Sequence, residues 1–244
     1  MRFSQRLKSC IKLLQRSRFH YYRMAMLRPP FWLSVNGQTC RIAAGRNAGA
    51  GSCYAEVVIE DCYEIFDFAK RANPKVIVDI GANLGVFSKL CTLLFPQADI
   101  YAYEPNPSAL EWLAKNAEGT RIQVIPCAVG QVVAMVNLDT SCDSTIGRIT
   151  ENGNLPVQCV AAADIAAGRQ IDFLKVDCEG SEWSILQDRT LLERTKVCCL
   201  EYHLYDSHSL EELRGLIETA SHRVISISNT KEDGKFGVIR SVLE

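Results

Sequence analysis

The sequence lacks long apolar runs and lacks regular cysteine spacing. No uninterrupted apolar stretch reaches the roughly 18 residues of a membrane-spanning helix, so none is predicted. The eleven cysteines include no C-x-x-C pair, which disfavours a zinc site. Several cysteines stand inside apolar runs, as small buried residues do in proteins of a reducing compartment. We therefore expect a cytoplasmic protein.

Acidic residues are missing from the beginning of the chain. Residues 1–55 contain ten Lys and Arg but no Asp or Glu, whereas the remainder has seventeen against twenty-eight. Leu7, Ile11 and Leu14 recur at helical spacing, which predicts a basic amphipathic extension over residues 1–30. Peripheral membrane contact, contact with another anionic partner and a loosely ordered extension all stay open. The acidic remainder has no stripe of basic and aromatic residues, so there is no strong nucleic-acid signal.

Residues 31–73 form a second segment that leads into the main domain. FWLSV and QTCRIA flank Asn36-Gly37, which is a strong β-hairpin pattern. The following residues, 55–72, change from a strand-like run, AEVVIE, into a predicted helix. We interpret this segment as an addition to the domain of residues 74–244.

The main domain repeats a pattern of strand, turn and helix. Strands are predicted over 76–80, 100–104, 122–129, 171–177 and 197–203, and helices over 85–95, 107–118, 181–194 and 209–222. Additional strands are predicted over 132–139 and 155–162 around a loop containing 143–148, and over 224–229 and 236–243 around a turn at 231–235. Continuous apolar strands that alternate with helices indicate a doubly wound, mostly parallel α/β sheet. Ligands bind such sheets beyond the carboxyl ends of the strands.

The first two strand ends carry carboxylates that indicate a nucleoside site. The turn DIGANLG has Gly81 and Gly85 but not the G-x-G-x-x-G of dinucleotide folds, and no G-K-[ST] is present. Asp79 would repel a pyrophosphate, whereas it suits a cationic or amino-bearing ligand. Glu104 at the next strand end suits ribose hydroxyls. S-adenosylmethionine (SAM) satisfies both carboxylates, whereas either one alone would more often cap a loop.

Three motifs resemble the FkbM-type family of SAM-dependent methyltransferases: VDIGANLGVFS, YAYEPNP and IDFLKVDCEGSEWSIL. The resemblance covers roughly residues 54–225 and implies a class I methyltransferase fold, with a seven-stranded Rossmann-like sheet. It also implies methyl transfer to a hydroxyl of a sugar or natural product. Carried onto this chain, it assigns the methionine part of SAM to Asp79, Gly81, Asn83 and Gly85, the ribose to Glu104, the adenosine pocket to Pro105 and Asn106, and the adenine surroundings to Ala128.

Charged residues at two later strand ends are candidates for catalysis. LKVDCEGSE supplies Lys175, Asp177 and Glu179, and EYH supplies Glu201 and His203. We hypothesise that Asp177, with His203 second, is the base or a metal ligand, and that Lys175 and Glu179 orient it. Asp177 and Glu201 could hold Mg²⁺. Glu182, in contrast, fits an acidic residue at a helix N-terminus.

These patterns favour a SAM-dependent methyltransferase that acts on a hydroxyl of a sugar, glycolipid or related small molecule. A protein or RNA acceptor, and a SAM-fold protein that binds without catalysing, are the alternatives. An NAD-dependent oxidoreductase is disfavoured by the missing third glycine. Acceptor specificity would come from residues 31–70, residues 139–156 and the last two strands, none of which has a recognisable pattern.

Overall fold

The computed structural model describes residues 29–45, 48–143, 146–205, 208–229 and 234–244. The predicted basic helix therefore lies outside the described residues, as does most of the turn predicted at 231–235. None of the described helices is both long and apolar enough to cross a bilayer.

The strands are β1 (Phe31–Val35), β2 (Gln38–Ile42), β3 (Val76–Ile80), β4 (Asp99–Tyr103), β5 (Ile122–Ile125), β6 (Ala128–Gly130), β7 (Ala134–Asp143), β8 (Ile146–Ile149), β9 (Leu155–Ala161), β10 (Ile171–Val176), β11 (Thr195–His203), β12 (His222–Asn229) and β13 (Phe236–Leu243). The helices are α1 (Ala48–Tyr54), a π-helical turn (Ala55–Glu60), α2 (Ile65–Ala69), α3 (Val86–Leu94), α4 (Pro107–Ala117), α5 (Ala162–Ala166), α6 (Glu182–Leu186), α7 (Thr190–Glu193) and α8 (Leu210–Thr219).

The central sheet has seven strands in the order β12-β13-β11-β10-β3-β4-β5. The five strands from β11 to β5 are parallel, and β13 pairs antiparallel with both β11 and β12. This arrangement confirms the predicted doubly wound α/β fold. The carboxyl ends of β3, β4, β10 and β11 consequently lie along one edge, so the predicted site residues meet there.

A second sheet, which we call the accessory sheet, comprises β6, β9, β7 and β8 in that order. Two predictions here were wrong. Residues 122–129 do not form one strand, because Pro126 lacks a backbone N–H and separates β5 in the central sheet from β6 in the accessory sheet. Part of the predicted loop at 143–148 is strand β8, which pairs with β7 and extends the sheet over the edge of the site.

The lead-in segment contains the predicted hairpin, since β1 pairs antiparallel with β2 around Asn36 and Gly37, both at positive φ. The strand predicted over residues 55–60 was wrong, because these residues continue α1 as the π-helical turn. Asp61 ends this turn in the left-handed conformation, and its side chain accepts a hydrogen bond from the N–H of Ile65 to begin α2. Tertiary packing therefore overrides the strand preference of Val57, which is buried in the core.

Two hydrophobic clusters cover the central sheet. One of them combines Phe31 and Leu33 of the hairpin with Ile77 of β3 and Phe87 of α3. The lead-in segment and the main domain therefore share one core.

The helix predicted over residues 181–194 was wrong in its extent, since it divides into α6 and α7. Asp188 interrupts it, because its side chain accepts a hydrogen bond from the N–H of Thr190 and caps α7. The division keeps α6 short, with its first residue, Glu182, fully buried beside β11.

Nine of the eleven cysteines are described as free thiols. Burial raises the pKa of each of these thiols above its ordinary value: Cys40, Cys53, Cys62, Cys91, Cys127, Cys159, Cys178, Cys198 and Cys199. The thiol form, which packs as a small apolar group, is therefore favoured.

Candidate active site

The glycine turn after β3 lies directly against the end of β10. Gly81 has φ 74°, and a Cβ placed on it would lie 1.7 Å from the carbonyl oxygen of Asp177. Only glycine fits this contact. Gly85, at φ 79°, is crowded by Leu113 of α4, with 2.5 Å between a Cβ placed on Gly85 and the Leu113 Cδ1. The first glycine therefore joins two strand ends, and the second packs the helix that follows.

Glu104 holds the same turn from the end of β4. Its Oε2 accepts a hydrogen bond from the N–H of Asn83 and its Oε1 one from the N–H of Asn106, both at 2.8 Å. Burial raises the pKa of Glu104 to about 7, against the lowering effect of these two hydrogen bonds. The side-chain Oδ1 of Asn83 is buried and has no hydrogen-bond partner in the protein. The turn therefore presents an acceptor oxygen that a ligand can satisfy.

A cleft opens between these strand ends and the accessory sheet. Seven of the predicted site residues line it, namely Gly81, Asn83, Glu104, Pro105, Ala128, Asp177 and Glu179. The accessory sheet contributes Leu138, Gly147 and Ile149 to the opposite wall. Gly147 and Ile149 lie within residues 139–156, the region expected to contribute to acceptor specificity, whereas Leu138 was predicted only as part of an additional strand.

Other predicted residues support the cleft without lining it. Asp79 is fully buried, and its Oδ2 accepts a hydrogen bond from the hydroxyl of Ser88 at 2.7 Å. The side chain of Asn106 accepts a hydrogen bond from the N–H of Ser108 and caps α4. These two residues fix the positions of the loops that carry the lining residues.

Lys175 connects the glycine turn after β3 to the charged end of β10. Its ammonium lies 3.2 Å from Asp79 Oδ1 and 3.4 Å from Asp177 Oδ2, and it donates a 2.6 Å hydrogen bond to the carbonyl of Gly81. Burial alone would lower the pKa of Lys175, but the charges of Asp79 and Asp177 raise it above its ordinary value. A buried ammonium therefore stands between the two strand-end carboxylates.

Tyr63, from the lead-in segment, completes this cluster and was missed in the sequence. Its hydroxyl lies 3.0 Å from Asp177 Oδ2 and 3.2 Å from Glu201 Oε2. Burial, followed by the charge of Asp177, raises the pKa of Glu201 well above its ordinary value. Tyr63 lies in an irregular connection and follows no strand, so its local pattern carried no signal.

His203 lies between two carboxylates. Its Nδ1 is 3.1 Å from Glu182 Oε1, and its Nε2 is 3.3 Å from Glu179 Oε2. Burial lowers the pKa of His203, but the hydrogen bond to Glu182 and the carboxylate charges outweigh it and raise the pKa to about 9. This pKa favours the cationic form of His203 at neutral pH, in which its two ring nitrogens donate to Glu182 and Glu179.

Glu179 joins the end of β10 to the accessory sheet. It has φ 53°, which a non-glycine residue rarely adopts, and its Oε2 accepts a 3.4 Å hydrogen bond from the hydroxyl of Tyr205. The guanidinium of Arg148 on β8 stacks over the ring of Tyr205, 4.1 Å from its centre. A contact through Tyr205 therefore links the wall of the cleft to the predicted catalytic turn.

The chain matches the Methyltransferase FkbM domain over residues 79–224, which is more than half of its length. It belongs to the FkbM family of SAM-dependent methyltransferases. This FkbM match covers the three motifs that carried the resemblance, except for Val78 at the start of the first, and the resemblance is confirmed. Tyr63 lies outside the matched residues.

Two relatives have informative names. Hexuronic acid methyltransferase AglP from Haloferax volcanii is 24% identical over 136 residues, covering 52% of this chain and 56% of that protein. The 31-O-demethyl-FK506 methyltransferase FkbM from Streptomyces tacrolimicus is 32% identical over 114 residues, covering 46% of this chain and 42% of that protein. Across four curated relatives, the matches span between 23% and 65% of the relative's own length.

A solved structure supports the fold over nearly the whole length. Magnesium protoporphyrin IX methyltransferase from Synechocystis, solved with bound SAM, superposes with a TM-score of 0.55 and covers 98% of this chain and 97% of that one. Its sequence identity is only 9%, so the likeness concerns the fold alone. The predicted class I methyltransferase fold is confirmed.

Proposed function

We propose that this FkbM-family chain transfers a methyl group from SAM to a hydroxyl oxygen of a saccharide or related small molecule. The observation that carries the proposal is the position of Asp177, which lines the cleft beside the glycine turn and has Oδ2 held by Lys175 and Tyr63. A carboxylate in this place suits proton removal from a weakly acidic hydroxyl. The names of the hexuronic acid and FK506 methyltransferases support an acceptor of this class.

The cleft fits SAM as the donor. The unpartnered Oδ1 of Asn83 suits the amino group of the methionine part, and the glycine turn leaves room for close approach of a ligand. Glu104 would accept hydrogen bonds from the ribose, and Pro105 and Ala128 would border the adenosine. Asp79, Gly85 and Asn106 would act indirectly, by holding the turn and the loop in place.

The acid–base chemistry then follows from the charged cluster. Bound SAM supplies an electrophilic methyl group, and its transfer to a hydroxyl oxygen releases one proton. Asp177 takes that proton, and the buried ammonium of Lys175 holds its Oδ2 in place. His203, as a cation, holds Glu179 at the rim of the cleft. We therefore assign the proton acceptor to Asp177 and a supporting role to His203.

A divalent cation is the alternative for this cluster. One ligand atom each from Asp177, Glu201 and His203 lies within 4.8 Å of the others, which is compatible with one ion. The residues fit Mg²⁺ poorly, however, because the Tyr63 hydroxyl bridges the two carboxylates and both nitrogens of His203 contact carboxylates. We expect methyl transfer to persist in EDTA. Loss of transfer that added Mg²⁺ restores would assign a metal instead.

The test is transfer of a radiolabelled methyl group from SAM into fractions of a cell extract, followed by identification of the labelled product. We expect label in the saccharide or small-molecule fraction. Label in protein or RNA would replace the proposed acceptor, and micromolar S-adenosylhomocysteine binding without any transfer would indicate a binding protein. A cytoplasmic location and a membrane contact of residues 1–30 remain predictions.

Asp177→Asn tests the assigned proton acceptor. We expect kcat to fall about 10²- to 10⁴-fold, the usual contribution of a general base, with affinity for S-adenosylhomocysteine unchanged within about twofold. Asp188→Asn is the matched control, because Asp188 caps α7 and does not line the cleft. Full turnover in Asp177→Asn would refute the assignment.

A further inference from the structure

Tyr63 reaches the charged cluster from outside the matched FkbM domain. It follows the π-helical turn and precedes α2, and only 4% of its surface is exposed. Its ring packs edge-on against Phe87 of α3, with 5.5 Å between the ring centres, and its carbonyl accepts a 3.4 Å hydrogen bond from the thiol of Cys199. The core therefore fixes the side chain and the backbone of Tyr63 independently of its hydroxyl.

The hydroxyl of Tyr63 meets two carboxylates from neighbouring strands. Asp177 follows β10 and Glu201 belongs to β11, and these strands are parallel neighbours. One oxygen of Asp177 lies within 4.8 Å of one oxygen of Glu201. Two carboxylates this close repel each other unless a donor or a proton lies between them. The Tyr63 hydroxyl lies 3.0 Å from Asp177 and 3.2 Å from Glu201, so its single proton is shared between the two carboxylates, whereas Lys175 forms an ion pair with Asp177 of these two.

The contacts on Asp177 are unequal between its two oxygens. The hydroxyl of Tyr63 donates to Oδ2, and the ammonium of Lys175 also pairs with Oδ2, at 3.4 Å. A carboxylate held through one oxygen has its plane fixed, so the other oxygen points in a defined direction. Since Asp177 lines the cleft, that direction decides where an acceptor hydroxyl must lie.

We propose that Tyr63 is a positioning residue for the acceptor hydroxyl: its hydroxyl holds Asp177 and Glu201 together and leaves Asp177 Oδ1 as the oxygen that removes the acceptor proton. This inference rests on the proposed methyl transfer. It assigns part of the reaction to the lead-in segment, which the family domain does not include. No atom of Tyr63 enters the chemical step, because the proton passes from the acceptor oxygen to Asp177.

The first experiment compares Tyr63→Phe with wild type. The substitution keeps the ring that packs on Phe87 and removes only the hydroxyl. We expect kcat to fall about tenfold or more, as a misplaced catalytic group predicts, while KM for SAM and the Kd of S-adenosylhomocysteine change less than about twofold. Tyr54→Phe is the matched control, because the Tyr54 hydroxyl donates to the carbonyl of Trp32 in the same lead-in segment, away from the cleft.

The second experiment separates positioning from general support of the fold. If Tyr63 acts through Asp177, Tyr63→Phe combined with Asp177→Asn should be no slower than Asp177→Asn alone. If the double variant instead loses kcat by the product of the two single losses, Tyr63 acts independently of Asp177 and the proposal is overturned. An unchanged kcat in Tyr63→Phe would overturn it as well.

A third measurement needs no acceptor. If wild type transfers no methyl group to any fraction, the proposed function has failed. The bridge that the Tyr63 hydroxyl forms between Asp177 and Glu201 can still be tested by measuring Tm in thermal unfolding. Tyr63→Phe, Glu201→Ala and their combination should give non-additive shifts in Tm, because each single change removes the contact between Tyr63 and Glu201. Additive shifts would contradict the bridge, whatever the outcome for methyl transfer.

Discussion

Among single residues, Glu104 shows how burial sets the chemistry of this site. It is 7% exposed, and both of its oxygens accept backbone N–H groups that hold the glycine turn and the following loop. Its pKa of about 7 lies above the ordinary value of a glutamate because desolvation outweighs those hydrogen bonds. The folded protein therefore favours the neutral acid below this pH and the carboxylate above it. Ribose hydroxyls, as donors, favour the carboxylate.

The affinity for S-adenosylhomocysteine should therefore rise with pH. If only the ionised form of Glu104 binds well, a pKa of about 7 predicts about tenfold tighter binding at pH 8 than at pH 6. Calorimetry across that range measures the change. Glu104→Gln should remove the slope, whereas Glu111→Gln, on the exposed face of α4, should keep it. A flat wild-type profile would contradict the role of Glu104.

The residues that sequence patterns identified share one property: each follows or ends a parallel strand. Asp79, Glu104 and Asp177 were found because such strand ends meet at a common edge. Tyr63 was missed because its position depends on packing of an irregular connection against α3 and β11, which no local pattern encodes. The protonated state of His203 was missed for the same reason, since it depends on the distances to Glu182 and Glu179.

At the level of secondary-structure elements, the glycine turn after β3 and the end of β10 behave as one unit. Gly81 and Asp177 are in van der Waals contact through backbone atoms, and Lys175 donates to the carbonyl of Gly81. Movement of either element would displace the other. The positions of the glycine turn and of Asp177 are therefore mechanically linked.

Gly81→Ala tests that link. The added Cβ would lie 1.7 Å from the Asp177 carbonyl, so we expect loss of S-adenosylhomocysteine binding and a lower Tm. Gly119→Ala is the matched control, because Gly119 also has positive φ but nothing within 4 Å of its Cβ position. That control should cost only the backbone strain, about 1–2 kcal/mol. Equal effects of the two changes on binding would show that strain, and not the contact, is responsible.

Helices and strands were predicted well where apolar residues recur at a regular spacing. They were predicted poorly where tertiary contacts determine the local structure. The strands and helices of the parallel sheet follow from their patterns, whereas the π-helical turn at 55–60 depends on burial of Val57. Pro126 is a sequence signal for the end of a strand, and the prediction of one strand over residues 122–129 did not include it. The accessory sheet needed pairings over long separations, which single strands do not reveal.

For the whole molecule, the lead-in segment is inseparable from the methyltransferase core. Phe31 and Leu33 are buried in the same cluster as Phe87, and Tyr63 enters the active site from this segment. The matched domain over residues 79–224 therefore leaves out Tyr63 and the hairpin residues that share a core with α3.

Chemical labelling of the buried thiols can report local and global unfolding of the protein. Thiolates react with alkylating reagents far faster than thiols, and burial raises the pKa of the five thiols that are buried, namely Cys91, Cys127, Cys159, Cys198 and Cys199. Their labelling in the native protein should therefore wait for local or global unfolding, so that the labelling rate measures the population of open states. Mass spectrometry would resolve that rate at these five positions, without any introduced probe.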